Sequence, residues 1–183
     1  MKILAVSQFY TPDITAAAFR ISETVSHLKE LDHDVEVVTT FPHKSDDGEK
    51  VPASENGVHR VKLPDTENKG FLGYIYLYLS FMFKSIFKGL VKGFKLKPDV
   101  VWASSPPIFV GIAGWVLAKL LRAHFALDVR DIWPDSAVAA GQISNSGFAY
   151  KVGRWMEIFL YNHADVITCV ATPMKVYIEQ FTD

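Results

Sequence analysis

Residues 99–137 read DVVWASSPPIFVGIAGWVLAKLLRAHFALDVRDIWPDSA, and this stretch decides the fold. Two short apolar runs, VVWASS and HFALDV, flank a longer apolar segment, which is the pattern of a buried strand, a helix and a second buried strand. Strands joined in this way pair in parallel through a right-handed crossover. The stretch therefore predicts an α/β fold built on a parallel sheet. Charged and polar side chains then cluster from Arg130 to Ser136, where the second strand ends.

The rest of the chain repeats this alternation of strands and helices. Four further strands are expected at KILAVS, DVEVVTTF, GVHRVKL and DVITCV. Helices are expected at TAAAFRISETVSHLKEL, IFVGIAGWVLAKLLR and GFAYKVGRWMEIFLYNHA, whereas the polar segment from His43 to Asn56 is expected to be a mobile loop. Six strands alternating with helices predict one doubly wound domain over residues 1–183, which binds ligands beyond the carboxyl ends of its strands.

Composition and missing motifs exclude several classes of protein. The 19 Lys and Arg residues nearly balance the 20 Asp and Glu residues, so no overall field points to nucleic acid. The single Cys169 rules out an internal disulfide, and the six His residues lack HExxH spacing, so we expect no bound metal. Neither GxGxxG nor GxxxxGKS/T is present, which argues against dinucleotide and P-loop sites. MKILAVSQFY is a first strand rather than a signal peptide, and the lone cysteine suits the cytoplasm.

Four strand ends carry chemically reactive or polar side chains, in SQFYTPD, TTFPHK, ASSPP and RDIWPDSA. Because the strands are predicted to be parallel, these four loops should line one crevice. Pro134 is expected at the first position of a short helix that ends near Gly141 and directs its N-terminus into the crevice. The alternative is that Asp131 and Asp135 only cap this helix and that Arg130 pairs with one of them.

The segments MKILAVSQFYTPDITAAAFRISETVSHLKELDHDVEVVTTFPHK and VWASSPPIFVGIAGWVLAKLLRAHFALDVRDIWPDSAVAAG resemble the N-terminal half of family 4 glycosyltransferases. The resemblance is strongest to bacterial enzymes that build surface-polysaccharide repeat units, and RDIWPDSA is its most specific element. It implies the N-terminal half of a GT-B fold, a Rossmann-like domain that binds the acceptor. The nucleotide-sugar donor would be held mostly by a C-terminal domain with an E-x7-E motif, which this sequence lacks. We therefore expect a hexosyl- or aminosugar transferase when complete, and no transfer by this chain alone.

The resemblance also implies roles for the residues of the crevice. Asp131 is the expected catalytic residue, which would orient the acceptor hydroxyl. Arg130 and Arg20 are expected to contact phosphate or the acceptor diphosphate. The alternative interpretation of Arg20 is a surface residue on the first helix. Tyr10 and Trp133 are expected to stack on sugar rings, and the alternative for Trp133 is a core residue. The remaining expected substrate contacts are Gln8, Ser105 and Asp135. No cofactor is expected, because the nucleotide sugar is a substrate.

A second informative segment is KGFLGYIYLYLSFMFKSIFKGLVKGFKLK, within which no Asp or Glu occurs. Its helix, expected over about residues 70–97, carries Lys84, Lys88 and Lys92 four residues apart on one stripe. Large apolar side chains occupy its other faces, namely Phe83, Phe87, Leu90, Val91 and Phe94. This is the pattern of a cationic helix that lies on a membrane surface, and the lysines interrupt it too often for a transmembrane span. The alternative is a core helix with a lysine edge.

Together these features predict a protein of the inner face of the cell membrane. In the resembled enzymes the acceptor is a polyprenyl-diphosphate-linked sugar, so a peripheral, cytoplasmic location is implied. A different class of function stays open, in which the chain is a noncatalytic membrane-anchoring subunit of a split glycosyltransferase. A third possibility is a sugar- or nucleotide-binding module without transfer chemistry.

Overall fold

The computed structural model describes residues 1–42, 51–65 and 70–182, apart from the side chains of Phe71 and Leu72. The strands in this part of the chain are β1 (Lys2–Val6), β2 (Asp34–Thr40), β3 (Ser54–Glu55), β4 (Val58–Val61), β5 (Val100–Ser105), β6 (His124–Val129) and β7 (Val166–Cys169). The helices are α1 (Ala16–Glu30), α2 (Phe71–Leu96), α3 (Ile108–Leu121), α4 (Asp135–Ala139), α5 (Phe148–His163) and α6 (Thr172–Ile178).

The strands form one sheet in the order β3-β4-β2-β1-β5-β6-β7. All neighbouring strands are parallel except β3, which runs antiparallel to β4. From the central β1 the chain builds β2 and β4 on one side, and β5, β6 and β7 on the other. The predicted doubly wound parallel sheet is confirmed, and its topological switch point lies between β1 and β5.

Part of the predicted loop from His43 to Asn56 is a strand instead. Ser54 and Glu55 form β3, and the backbone amide of Arg60 donates to the carbonyl of Ala53 over 2.8 Å. Asn56 and Gly57, which have positive φ angles of 48° and 80°, make the tight turn into β4. An Asn-Gly pair between two extended segments is a strong hairpin signal, because both residues tolerate this backbone conformation. Residues 43–50 of the predicted loop lie outside the described residues.

Helices cover both faces of the sheet because side chains alternate along the strands. In β1, Ile3 and Ala5 face one side and pack with Ile21 of α1. Leu4 and Val6 face the other side and join a larger core formed with α2, α3 and α5. The predicted interfacial segment is therefore a continuous helix, α2, that is also part of the second layer. Helix α6 was not predicted from the sequence.

Helix α3 lies close to the sheet because small residues line its inner surface. A Cβ placed on Gly114 would lie 2.4 Å from the Cβ of Ala103 in β5 and 3.0 Å from the ring of Phe125 in β6. Both neighbours are fixed in central strands, so they cannot move aside without a shift of the backbone. The close packing of α3 on β5 thus depends on the missing side chain at position 114.

We expect Gly114→Ala to lower the free energy of unfolding by about 1–2 kcal/mol. Overpacking typically costs about 1–3 kcal/mol, and the better helix propensity of alanine returns up to about 1 kcal/mol. Gly93→Ala is the matched control, because a Cβ there meets only the branched end of the Leu121 side chain, which can rotate away. Thermal and urea unfolding measure both variants, and equal losses would contradict the assignment of close packing to Gly114.

Candidate active site

The sheet's switch point opens into a polar chamber of about 430 Å³. Gln8 and Phe9, which follow β1, line it on one side, and Pro106 and Pro107, which follow β5, line it on the other. Asp131 lies on the same wall as Ser136 of α4. Three of the four predicted loops thus meet at one cavity, and its volume falls within the usual range for ligand pockets of about 300–1,000 Å³.

An apolar chamber of about 420 Å³ adjoins the polar chamber. Its own wall is formed by Ile75 from α2, Ile108 and Phe109 from α3, and Ile143 after α4. The side chains common to both chambers are Tyr74, Tyr78, Pro107, Trp133, Ala137 and Gln142. The two chambers therefore share one aromatic wall, and among the described residues that line them the one charged residue, Asp131, belongs to the polar chamber alone.

The loop after β1 is held from below by the neighbouring strands. The hydroxyl groups of Thr40 and Thr39 in β2 donate to the carbonyl of Gln8 over 2.7 and 3.2 Å. Arg60 of β4 is buried and donates from Nη2 to the carbonyl of Thr11 over 2.7 Å. The end of β2 thus supports the crevice from beneath. His43 and Lys44 of the predicted TTFPHK loop lie outside the described residues. The sequence analysis did not select Arg60. The feature that could have indicated its role is a charged residue within the predicted strand GVHRVKL.

Asp131 presents a carboxylate to the polar chamber and does not cap a helix. Among the described residues no hydrogen bond or ion pair reaches its side chain, and Arg130 pairs with neither Asp131 nor Asp135. Helix α4 begins at Asp135, and Pro134 is its N-cap. The prediction had placed Pro134 one residue later, at the first helical position. The geometry favours the binding interpretation of Asp131 over the capping alternative.

A buried carboxylate that the sequence analysis did not select lies behind this wall. Asp128 in β6 is 1% exposed, and its oxygens accept hydrogen bonds from Ser104 of β5 over 2.8 Å and Thr168 of β7 over 2.9 Å. Arg20 of α1 donates to the same carboxylate from Nη2 over 3.0 Å. Arg20 is therefore fixed by an ion pair rather than free on the surface. The available signal was a single acidic residue inside an apolar strand.

Arg130 adds a second guanidinium next to Arg20. Its backbone amide donates to the carbonyl of Ser105 over 3.3 Å, and its Nε is buried without a partner among the described residues. Burial lowers the pKa of Arg130, and the neighbouring charge of Arg20 lowers it further. A guanidinium stays charged through such shifts. Two guanidinium groups beside one carboxylate leave a local excess of positive charge, which suits a phosphate.

The two aromatic residues that were predicted to stack on sugars, Trp133 and Tyr10, differ in whether they line the chambers. Trp133 lines both chambers, and its ring lies against Gly153 of α5, where a Cβ would come within 2.1 Å of Cζ3. Trp133 is thus packed on one side and available to a ligand on the other. Tyr10 is half-buried against the α1-side core, burial raises the pKa of its hydroxyl, and neither chamber includes it. Ser105 is buried beneath the crevice.

Asp135 belongs to a polar cluster rather than to a chamber wall. Its carboxylate accepts from Arg154 over 2.7 Å and from the Tyr150 hydroxyl over 3.0 Å, both in α5. Arg154 also contacts Glu157 of α5 and Tyr177 of α6. This Arg154 cluster ties α4, which follows Trp133, to α5 and α6. Burial raises the pKa of Glu157 to about 7, although the Arg154 guanidinium acts in the opposite direction.

The described residues contain no group of His, Cys, Asp and Glu side chains that could hold a metal ion. The lining of the crevice has the Asp131 carboxylate, which is unpaired among these residues, and an aromatic wall at the switch point of the sheet. Arg20 and Arg130 lie beside Asp128 at the end of β6 and are not part of either chamber lining. These features define a doubly wound, Rossmann-like domain with a ligand-sized crevice at the switch point of its sheet.

A family model described as a glycosyl transferase 4-like domain matches residues 15–181. The chain belongs to this family, and the predicted resemblance to family 4 glycosyltransferases is confirmed. Similar solved structures include a UDP-N-acetylglucosamine 2-epimerase, with 14% identity, a TM-score of 0.57 and 98% of this chain covered. Anabaena Alr3699/HepE, solved in complex with UDP-glucose, has 12% identity and a TM-score of 0.58 over 100% of this chain. The chain spans only 44% and 43% of those proteins. A search of curated protein sequences found no significant match.

The Arg154 cluster predicts a pH dependence of stability. Because Glu157 has a pKa of about 7 when folded, the folded state holds its proton more tightly than the unfolded chain, where the pKa is near 4.5. This favours folding below about pH 4.5, and the contribution is lost as the pH rises to about 7. Glu157→Gln cannot ionise, so its unfolding free energy should fall less over this range than that of the unchanged chain. Urea unfolding at several pH values measures the difference.

The control for this prediction is Glu179→Gln, which alters an exposed glutamate at the C-cap of α6 that forms an ion pair with Lys175. Exposed ion pairs contribute little to stability, so its pH profile should follow that of the unchanged chain. A Glu157→Gln profile that is equally steep would show that Glu157 is ionised throughout this pH range.

Proposed function

We propose that this chain is the acceptor-binding domain of a retaining glycosyltransferase of surface-polysaccharide synthesis. The enzyme would transfer a sugar from a nucleotide-sugar donor to a polyprenyl-diphosphate-linked sugar acceptor. The observation that carries the proposal is the Asp131 carboxylate on the wall of the polar chamber, which has no partner within the described part of the chain. Family membership supports sugar transfer, and the UDP-glucose bound by Alr3699/HepE favours a nucleotide-sugar donor.

In the proposed reaction the acceptor hydroxyl oxygen bonds to the anomeric carbon of the donor sugar. The bond between that carbon and the nucleotide phosphate breaks, and the departing phosphate takes the hydroxyl proton. Asp131 accepts a hydrogen bond from the attacking hydroxyl, which orients it and stabilises the positive charge that develops on the sugar. Trp133 supplies an apolar face beside this position, where a sugar ring can stack.

Arg20 and Arg130 are proposed to bind the acceptor diphosphate. The Nε of Arg130 is buried and lacks a partner among the residues that the structure describes, so an anion would satisfy it. The ion pair with Asp128 fixes the direction of Arg20, while more than a third of its side chain stays exposed. A guanidinium held in place loses less side-chain entropy when it binds phosphate.

The donor is proposed to bind to a second domain, on the same polypeptide or on a separate one. The chain corresponds to less than half the length of the solved structures that it resembles. One wall of a cleft cannot hold donor and acceptor in line, so the 183 residues alone should not catalyse transfer.

Helix α2 is proposed to dock on the inner face of the membrane. Phe83 and Phe87 are 64% and 72% exposed, and Val91 and Phe94 continue the same stripe along the helix. Large apolar side chains on a surface are a mark of an interaction site. The opposite side of α2, with Phe81, Ser85 and Gly89, is buried. The helix is thus part of the core on one side and exposes an apolar stripe on the other.

Cationic side chains border this apolar stripe. A shallow groove between β4 and the outer side of α2 is lined by Val61, Lys62, Phe83, Lys84, Phe87 and Lys88. Neither α2 nor its neighbour α3 contains an Asp or Glu, so no carboxylate of these helices opposes an anionic headgroup. Apolar side chains beside lysines favour peripheral binding to anionic lipid. Among the described helices, none has the length and apolar character needed to cross a membrane.

We expect Asp131→Asn in the complete enzyme to lower turnover by about 100-fold or more, the scale of losing a positioned electrostatic group. Asparagine keeps the volume and can accept one hydrogen bond, so the melting temperature should hardly change. Initial rates with a lipid-linked acceptor measure the effect. Asp65→Asn, an exposed carboxylate between β4 and α2, is the control. A normal rate in Asp131→Asn would move the catalytic assignment away from the RDIWPDSA segment.

The docking proposal predicts that the chain pellets with vesicles of anionic phospholipid and is released by salt. Replacing Lys84, Lys88 and Lys92 by Glu should abolish pelleting, because each interfacial lysine contributes on the order of 1 kcal/mol. The control replaces Lys2, Lys29 and Lys175, which are exposed on other elements, by Glu and changes the net charge equally. Equal loss in both triple variants would indicate a general charge effect rather than docking through α2.

A further inference from the structure

Helices α2, α3 and α5 lie side by side in one layer on the same face of the sheet. A Cβ placed on Gly89 of α2 would lie 2.7 Å from the side chain of Leu117, so α2 and α3 are in close contact. On its other side α3 meets α5, where the rings of Trp115 and Phe159 pack edge to face with a centroid distance of 4.9 Å. The three helices therefore share one outer surface, with α3 in the middle.

Helix α5 exposes an aromatic stripe of its own on this outer surface. Phe148 is 82% exposed, Trp155 is 64% exposed, and Val152 between them is also exposed. The Trp155 ring stacks on Phe159 with a centroid distance of 5.5 Å. Positions 148, 152, 155 and 159 are three or four residues apart, so these side chains lie along one side of the helix. Leu120 adds an exposed apolar side chain on α3, between this stripe and that of α2.

The stripes of α2 and α5 lie at the same level of the layer. Helix α2 ends at Leu96 and α5 at His163, and each end is followed within four residues by a strand of the parallel sheet. Phe87 is nine residues before the end of α2, and Trp155 is eight residues before the end of α5. At 1.5 Å per residue these positions are about 14 and 12 Å from the helix ends. One flat surface can therefore meet both stripes.

The charge of the chain is divided between this layer and the remainder. The three helices contain seven Lys and Arg residues and one carboxylate, Glu157, so their net charge is +6. The rest of the chain has 12 Lys and Arg residues against 19 Asp and Glu residues, or −7. The Glu157 side chain is 2% exposed and is paired with Arg154. The outer surface of the layer thus carries lysines and has no exposed carboxylate of these helices to oppose them.

An anionic bilayer matches both the charge and the apolar side chains of this surface. A second copy that docked through the same face would bring two positive surfaces together. A nucleic acid would satisfy the lysines but would leave the exposed phenylalanines without a hydrocarbon partner. Anionic headgroups attract lysines, and tryptophan is enriched where headgroups meet acyl chains.

We infer that α5 is a second membrane anchor, so that the domain lies with the layer of α2, α3 and α5 against an anionic bilayer. The inference rests on the proposed function, because it extends the docking proposed for α2 and fixes the orientation of the domain. The first turns of α2 and α3 line the crevice, with Tyr74 and Ile108 among the lining residues. The crevice therefore opens at the rim of the docked surface, near the headgroup level where the diphosphate of a lipid-linked acceptor lies.

The direct test is quenching of tryptophan fluorescence by phosphatidylglycerol vesicles with brominated acyl chains. Trp155 should account for most of the quenching, because the other three tryptophans are less exposed. Trp155→Phe keeps an aromatic ring on the stripe, so it should bind the vesicles within about threefold and lose more than half of the quenching. Quenching that is unchanged in Trp155→Phe would overturn the inference.

A second test measures affinity for phosphatidylglycerol vesicles by sedimentation. Phe148→Ser combined with Trp155→Ser should lower it by at least about tenfold, because both side chains lose apolar surface that the bilayer would bury. The matched control is Phe19→Ser combined with Leu31→Ser, which removes exposed apolar side chains from the α1 side of the sheet and should change affinity less than about twofold. Circular dichroism checks the fold of each variant. Equal losses in the two double variants would contradict a specific role for α5.

The outcomes for α5 and for the proposed function are separable. Binding that depends on the lysines of α2, without quenching of Trp155, would reject the second anchor and leave the proposed docking of α2 standing. Quenching of Trp155 that persists when those lysines are replaced would reject docking through α2 and retain the anchor on α5. A dimer that forms without vesicles and dissociates on replacement of Phe148 and Trp155 would overturn the inference and assign the surface to a second copy. Transfer by the complete enzyme tests the proposed reaction independently of these results.

Discussion

The buried carboxylate of Asp128 is the interaction on which the crevice depends. It is buried in β6 between β5 and β7, where an isolated charge would be very costly, and it is compensated by donors from β5, β7 and α1. The same three hydrogen bonds join three structural elements and determine where Arg20 points. The two residues that follow β6 in the chain, Arg130 and Asp131, therefore begin from a rigid strand end. A site built on strands in this way holds its groups more precisely than a site carried by a mobile loop.

The topology of the sheet brings the remaining parts of the crevice together. Because β1 lies between β2 and β5, the loops that follow β1 and β5 diverge, and the space between them becomes the polar chamber. Hydrogen bonds from β2 and β4 support the loop after β1, and the Arg154 cluster supports the turn that carries Trp133. Neither group of contacts needs to touch a ligand, yet both decide where ligand-facing side chains lie. This is the usual relation between a binding surface and the shell beneath it.

Helix α2 joins the crevice to the surface that is proposed to face lipid. Its first turns line both chambers, its inner side belongs to the core, and its outer side exposes phenylalanines beside lysines. A helix that is apolar nearly all round is normally buried on all sides. Here only one layer of structure covers it among the described residues, so part of its apolar surface has no protein partner. The same element can therefore take part in folding, in acceptor binding and in membrane docking, provided that the acceptor is lipid-linked.

The sequence by itself determined the α/β class, the parallel strands, the extent of α2 and the loops that meet at the crevice, because these follow from local periodicity and from where apolar runs stop. It also contained the Asn56-Gly57 turn, although the polar composition of the segment concealed the short β3. Only the tertiary structure decided that Asp131 has no partner among the described residues, that Asp135 is held by Arg154, and that Asp128 fixes Arg20. Those partners are separated by 19 and 108 residues. A linear pattern shows which side chains can ionise, whereas long-range packing decides which of them remain free for a ligand.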